Sequence, residues 1–577
     1  MSPQILTALI AVPLAGGGLA MLFGRWSESA ARWVSLLAAL LTVALAATLW
    51  FGFQETLPAA QGPVLEQRIS WIPRYGIEFH LALDGLNLLF VVLTACLGTV
   101  AVLISWREIT RAVGAHYLCI MATVAGIMGV FLAYDLFLFY FFWELMLVPM
   151  YFLIGVWGHE RRIAAAIKFT IFTMVSGLLL LVAILTLYYA HGSATGNYTM
   201  DYTRLLGTQI GLSTARWIFL GFVAAFAVKL PLFPLHTWLP DAHTEAPTAG
   251  SILLAGLLLK TGGYGLIRFA VPLFPDAAES LAAPLAVLGV IGIIYGAILA
   301  YSQTDLKRMV AYSSVSHMGF VMLAVAVWQL TALQGAVMQM LAHGVATGAM
   351  FAIAGMIQER LHTRDFSELG GLWSKVPKLS AFALLFVLAS VGLPGLGNFV
   401  GEFLILLGSF PVTPMLVAGG VLGIVLGTIA MLALMQRAFY GPSRNAAVIA
   451  DLSPREVLAL GILAVAAFFL GLLPQPFLRA AEPSLAGVIS QNLPFNPADP
   501  EVGLDVHRTA GKNTVDAALR LSFDPAGAEM APDGLVPVAE ASEDPTGTGS
   551  AFAPERSPDS ARAAPASARA GNEEDGS

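Results

Sequence analysis

Six ionisable residues lie inside apolar stretches. They are Glu144 in YFFWELMLVPM, Lys229 in FAVKLPLFP, Lys260 in LLLKTGGYG, His317 in SVSHMGF, His343 in LAHGVAT and Glu402 in GNFVGEFLIL. A charge at membrane depth is unfavourable by about 3 kcal/mol or more, so each of these marks a candidate site. The chemistry the three residue types share is reversible proton binding. A buried lysine can lose its proton because removal from water disfavours the charged form, whereas arginine stays charged. The chain has 7 lysines and 23 arginines, yet the basic residues expected deep in its spans are lysines. A purely structural cation could be either. The plainer alternatives are a kinked packing helix with a snorkelling lysine, and histidines that only hydrogen-bond a neighbouring helix.

Spacing relates these residues. Glu144 to His317 is 173 positions, and so is Lys229 to Glu402. That interval equals five spans. Five is odd, so a repeated unit of this length is inverted in the membrane, a recurring transporter design with discontinuous helices near the midplane. The breaks are expected at Pro231 and Pro234 in one span and at Pro394 and Gly395 in the other. Broken helices free backbone groups that protein or water must satisfy, so a break beside Lys229 can hold a hydrated path. Lys229 precedes its break, whereas Glu402 follows its own. His236 and His243, near the end of the first broken span, are weaker candidates, as is Asp135. Asp135 and Asp84 lie at span ends, where they can simply cap helices.

The elements that position these groups follow from composition. The 577 residues are 57% hydrophobic and 12% charged, about half the charged fraction of a soluble protein. Apolar runs of about twenty residues recur, each long enough to cross a bilayer. The expected fold is all-α and polytopic, with about 14 transmembrane helices and interrupted seventh and twelfth spans. N-terminal helices occupy 1–110, a first five-helix repeat 115–275, a second, inverted repeat 280–440, and a final span 450–477. From 478 to 577 an acidic, Pro, Ala and Ser-rich tail is expected to be disordered. From Glu501 onward it carries 14 acidic and 6 basic residues, which accounts for the net charge of −7. The basic loops alternate with acidic or sparsely charged ones. The positive-inside rule makes the basic side cytoplasmic and puts both termini on the opposite side. No basic patch suggests nucleic acid. Cys96 and Cys119 form no metal or iron–sulfur motif.

The stretch LPLFPLHTWLPDAHTEAPTAGSILLAGLLLKTGGYGLIRF, followed by DLKRMVAYSSVSHMGF, resembles the antiporter-like membrane subunits of respiratory complex I and the Mrp cation/proton antiporters. The resemblance covers roughly 115–440. FFWELMLVPMYFLIG, LHTRDFSELGGL and a glutamate at 402 place it nearest the M branch of that group. It implies a proton-translocating subunit of NADH:quinone oxidoreductase in a bacterial inner membrane. Glu144 and Lys229 would form a coupled pair, Lys260 the central relay, His317 and His343 the continuing axis, and Glu402 the terminal carrier. It also implies that flavin, iron–sulfur clusters and quinone belong to partner subunits, and that L-type and N-type sisters are neighbours. The alternative is an Mrp-type Na+/H+ antiporter subunit.

Overall fold

The computed structural model describes residues 1–490, apart from 61 and 446. Thirteen of its helices are long and apolar enough to cross a membrane. A fourteenth crossing is built from two short helices in tandem. In chain order the helices are α1 (Gln4–Phe23), α2 (Glu28–Phe53), α3 (Gly85–Glu108), α4 (Val113–Leu132), α5 (Leu136–Leu145), α6 (Leu147–Trp157) and α7 (Arg162–Thr195). There follow α8 (Leu212–Lys229), α9 (Trp238–Glu245), α10 (Thr248–Leu273), α11 (Ala282–Ser302), α12 (Leu306–Val327) and α13 (Leu330–Leu361). The last are α14 (Pro377–Ser390), α15 (Gly397–Ser409), α16 (Pro414–Phe439), α17 (Pro454–Leu472) and α18 (Gln475–Ser490). The helices α5 and α6 form one crossing interrupted at Met146.

Both expected interruptions are present. Helix α8 ends at Lys229, and the chain turns through residues 230–237 before α9. Proline lacks an N–H, so Pro231 and Pro234 release carbonyls of the preceding turn. Leu232 N takes up Ala227 O at 2.9 Å, and the Trp238 indole donates to Val228 O, left over as the helix ends, at 2.9 Å. The second break runs through 391–396. Gly392 and Gly395 adopt φ of +78° and +95° there, which side chains other than glycine rarely reach.

Position in the bundle explains which helices carry the site. The apolar windows of α10 and α13 are buried throughout, whereas α7 turns Ile163, Ile167, Ile171, Leu178 and Val182 outward. Lys260 sits between two π-wound stretches of α10, Leu254–Leu258 and Leu266–Ala270. Such windings recur at functional positions in helices. Glycines seat α15 directly on α13. A Cβ on Gly335 would lie 2.6 Å from Ile405 N, and one on Gly401 would lie 2.6 Å from Gln339 Cα.

Three expectations change. The region between α2 and α3 contains an antiparallel hairpin, β1 (Leu65–Ile72) and β2 (Ile77–Leu83), with Leu65 opposite Leu83 and Ile72 opposite Ile77. The alternation in IEFHLAL and the turn glycine Gly76, at φ +63°, are its sequence signals. The stretch expected to be disordered from 478 is instead helical to Ser490. Ala480, Ala481, Leu485 and Val488 of α18 are buried, and Phe477 stacks on Trp50 at 5.5 Å. The rest of that tail lies outside the described residues. Finally, deep basic residues are not lysine alone: Arg268 in α10 is buried and paired with Asp84.

Candidate functional site

Four of the six expected residues stand in series. Lys260 Nζ donates to Ala255 O at 2.5 Å and meets His343 Nδ1 at 2.6 Å. With lysine as donor, His343 accepts there. The rings of His343 and His317 meet edge to face with centroids 5.2 Å apart. His317 Nε2 lies 3.7 Å from Glu402 Oε1 and 3.0 Å from Ser390 O, a carbonyl at the last turn before the second break. Gln339 donates to Glu402 Oε1 at 3.1 Å. All are buried. Four helices contribute: α10 the lysine, α13 His343 and Gln339, α12 His317, and α15 the glutamate.

Several atoms along this series have no protein partner: His343 Nε2, His317 Nδ1 and Gln339 Oε1, with both amide atoms of nearby Asn398. Buried polar atoms of this kind are normally satisfied by internal water. A hydrogen-bonded file of side chains and water can pass protons by exchange along it.

Lys229 and Glu144 stand at one end of the axis in a different arrangement. Lys229 is fully buried, yet its Nζ has no hydrogen-bond partner and no carboxylate within 4.0 Å. It lies instead 4.6 Å from the centroid of the Trp143 ring, a cation–π contact. Glu144 ends α5 beside Gly177 of α7, where any Cβ would overlap its Oε1. The backbone of α8 reaches α10 closely at Gly262, where a Cβ would lie 3.1 Å from Lys229 Cβ. The first broken span therefore touches the helix that carries Lys260.

The weaker candidates separate. Asp135 caps α5, accepting from Phe137 N at 2.9 Å and Leu138 N at 3.0 Å, and it also accepts from Glu78 N at 3.1 Å. His236 sits among Phe233, Tyr295 and Tyr312, away from the Lys260 chain. His243 is fully buried and stacks on Phe351 at 4.5 Å, with both ring nitrogens unpartnered.

Composition alone did not single out three other polar clusters. Asp84 caps α3, accepts from Tyr134 Oη at 2.8 Å and pairs with Arg268. At the hairpin, buried Asp201 binds His80 Nδ1 at 2.7 Å and Arg68 Nη1 at 3.0 Å, and Thr203 also donates to it. Burial acts to raise the Asp201 carboxyl, but hydrogen bonds from His80 and Thr203 and the nearby charges hold it down at about 2. On the face carrying the basic loops, Asp241 binds Lys168 at 2.7 Å and Arg308 at 2.9 Å, and Asp305 binds Arg364 at 2.5 Å. His159 Nε2 lies 3.5 Å from Lys307 Nζ. Burial, then the Lys307 and Arg364 charges, push the His159 imidazole down to about 3, so it is neutral at ordinary pH. Lys168 and Lys307 were visible in the sequence only as residues near span ends. Their partners are more than sixty residues distant.

Residues 133–428 match the family model described as NADH:quinone oxidoreductase/Mrp antiporter, TM. The chain is 50% identical over 496 residues to NADH-quinone oxidoreductase subunit M of Pseudomonas aeruginosa, covering 84% of this chain and 97% of that one. A chain of respiratory complex I from Thermus thermophilus superposes with a TM-score of 0.76 and 31% identity, covering 85% of this chain and 99% of that one. A chain of the Mrp complex from Dietzia sp. shares the fold, with a TM-score of 0.72 and 24% identity over 90% of this chain and 57% of that one.

Proposed function

The chain belongs to the NADH:quinone oxidoreductase/Mrp antiporter membrane-subunit family, and on that premise we propose how it moves protons. It is an antiporter-like, proton-translocating subunit of the membrane arm of NADH:quinone oxidoreductase. It performs no redox step itself. Flavin, iron–sulfur clusters and quinone reside in partner subunits, and L-type and N-type sisters flank it. The basic face is cytoplasmic, both termini face the other side of a bacterial inner membrane, and 115–275 and 280–440 are inverted five-helix repeats.

Protons pass from Lys260 through His343 and His317 to Glu402, with water completing the imidazole partners. The observation that carries this reading is the buried series of neighbouring ionisable groups from the 2.6 Å Lys260–His343 contact to Glu402. A packing role would not require four ionisable groups from four helices to touch in sequence.

Glu144 and Lys229 form a coupled pair that switches transfer along this axis. When the carboxylate approaches, it holds the lysine ammonium. When it withdraws, Trp143 is the remaining support, and the proton passes toward Lys260. Moving one charge against about 200 mV requires about 4.6 kcal/mol. Breaking a buried ion pair is worth about 3–5 kcal/mol, whereas a surface pair is worth about 1 or less. Only a buried pair supplies enough.

The test is NADH-driven proton uptake by inverted membrane vesicles carrying Lys229→Arg, Lys260→Arg or Glu402→Gln chains, with assembly checked on native gels. Normal assembly with lost uptake is expected. Uptake that survived simultaneous loss of Lys229, Lys260 and Glu402 would leave the chain a scaffold. Sodium-dependent exchange without flavin in the purified assembly would favour the Mrp-type alternative.

A further inference from the structure

Among the described residues, the proposed relay leaves one buried lysine unused. Lys307, at the start of α12, is fully buried. The four acids around it have taken other partners: Asp241 pairs with Lys168 and Arg308, Asp305 and, at 3.7 Å, Glu245 pair with Arg364, and Glu108 Oε1 accepts from Thr248 N at 2.9 Å and Thr248 Oγ1 at 2.8 Å. Lys307 has no carboxylate within 4.0 Å. Its Nζ donates to Ala246 O at 3.3 Å and meets His159 Nε2 at 3.5 Å. A lysine kept for structural pairing would be expected to have found one of these four acids.

Its two neighbours point in opposite directions. His159, in the loop between α6 and α7, is half-buried and reachable from solvent on the basic face. Ala246 closes α9, three residues after His243, whose two ring nitrogens are buried without partners. His243 stacks on Phe351, eight residues from His343 along α13. At 1.5 Å per residue that places it about 12 Å from the Lys260–His343 contact, on the basic side. Lys307 is ten residues before His317 on α12, about 15 Å away along the axis. The order from solvent inward is therefore His159, Lys307, His243, then the central chain.

We propose that Lys307 is the intake carrier of the central axis, passing protons from His159 at the basic face to His243 and on to Lys260. The Lys307 ammonium gives one proton through water to a ring nitrogen of His243, which passes the proton from its other nitrogen toward Lys260. The neutral amine then accepts a proton from His159 Nε2–H, while His159 Nδ1 takes one from surface water. One proton enters, and every group returns to its starting charge. The structural alternative is that Lys307 only caps the C-terminus of α9 through Ala246 O.

This inference rests on the proton-translocating reading, and the test separates the two. Lys307→Arg, Lys307→Gln and Lys307→Ala are introduced into the full complex, and NADH-driven proton uptake in inverted vesicles is compared with Lys260→Arg. Arginine and glutamine can still cap α9, but neither can cycle a proton. The expected result is assembled Lys307→Arg or Lys307→Gln complex with uptake reduced at least tenfold. In Lys307→Ala, uptake is expected to recover when small primary amines are added, with recovery following the amine's basicity. Wild-type uptake in an assembled Arg or Gln variant overturns the intake, as does failure of all three to assemble. If Lys307→Arg pumps normally while Lys260→Arg does not, the intake alone is wrong. If both pump normally, the relay beneath it falls as well.

Discussion

Trp143→Leu is the sharpest perturbation of the Glu144–Lys229 pair. The Trp143 ring centroid is 4.6 Å from Lys229 Nζ, and no acid lies within 4.0 Å of that ammonium. A desolvated cation–π contact is worth about 2 kcal/mol. Since each 1.36 kcal/mol is tenfold, removing the ring lowers proton occupancy at Lys229 by about thirtyfold in the state where Glu144 is withdrawn. Trp143 is fully buried, so leucine also leaves a cavity, and replacing buried aromatics with small residues removes about 3–5 kcal/mol of stability. Trp143→Phe controls for this, because it keeps a ring and most of the volume. The assay is initial proton uptake per NADH oxidised in inverted vesicles, normalised to assembled complex. The expected order is wild type, then Phe, then Leu, with Leu lowest by an order of magnitude or more. An assembled Leu variant with the wild-type ratio of protons to NADH would refute the idea that the indole holds the lysine's proton.

Two further outcomes concern the scaffold. Arg268→Met leaves Asp84 buried with its cation gone and should lower stability by about 3–5 kcal/mol, measured as a drop in thermal stability of the purified complex. Adding Asp84→Asn should recover part of that loss, and additive losses would show that the two residues are not coupled. Asp201 is held at about 2 in the fold against an ordinary 3.8. It thus contributes about 2 kcal/mol above pH 4, lost as pH falls through 2. Asp201→Asn should speed hydrogen exchange across 65–83 at pH 7. Wild-type protection there would exclude the carboxylate as the hairpin's anchor.

Much of this architecture was legible because membrane spans are written in long apolar runs. All fourteen crossings, including both breaks, fall where hydropathy and the Pro and Gly positions place them. The Lys260, His343, His317 and Glu402 positions stood out because ionisable residues are conspicuous in such runs. The β1–β2 hairpin did not, since its alternation extends over only a few residues between two helices. Arg268 was passed over because it lies close to the end of its span, where an arginine reads as a surface anchor. Its burial depends on Asp84, 184 residues away. The isolation of Lys307 was equally hidden. Sequence shows four acids nearby in space only after the chain has folded and each has taken another partner.

The glycine contacts between α13 and α15 have a mechanical consequence. The close backbone approach at Gly335 and Gly401 leaves little room for the two helices to slide past one another. Gln339 and Glu402 ride on this pair of helices, so their 3.1 Å bond survives a displacement of the pair together. His317 rides on α12 instead. On the proposed route the 3.7 Å step from His317 to Glu402 thus crosses between helices, and a shift of α12 against α13 and α15 would change that distance while leaving the Gln339–Glu402 bond in place.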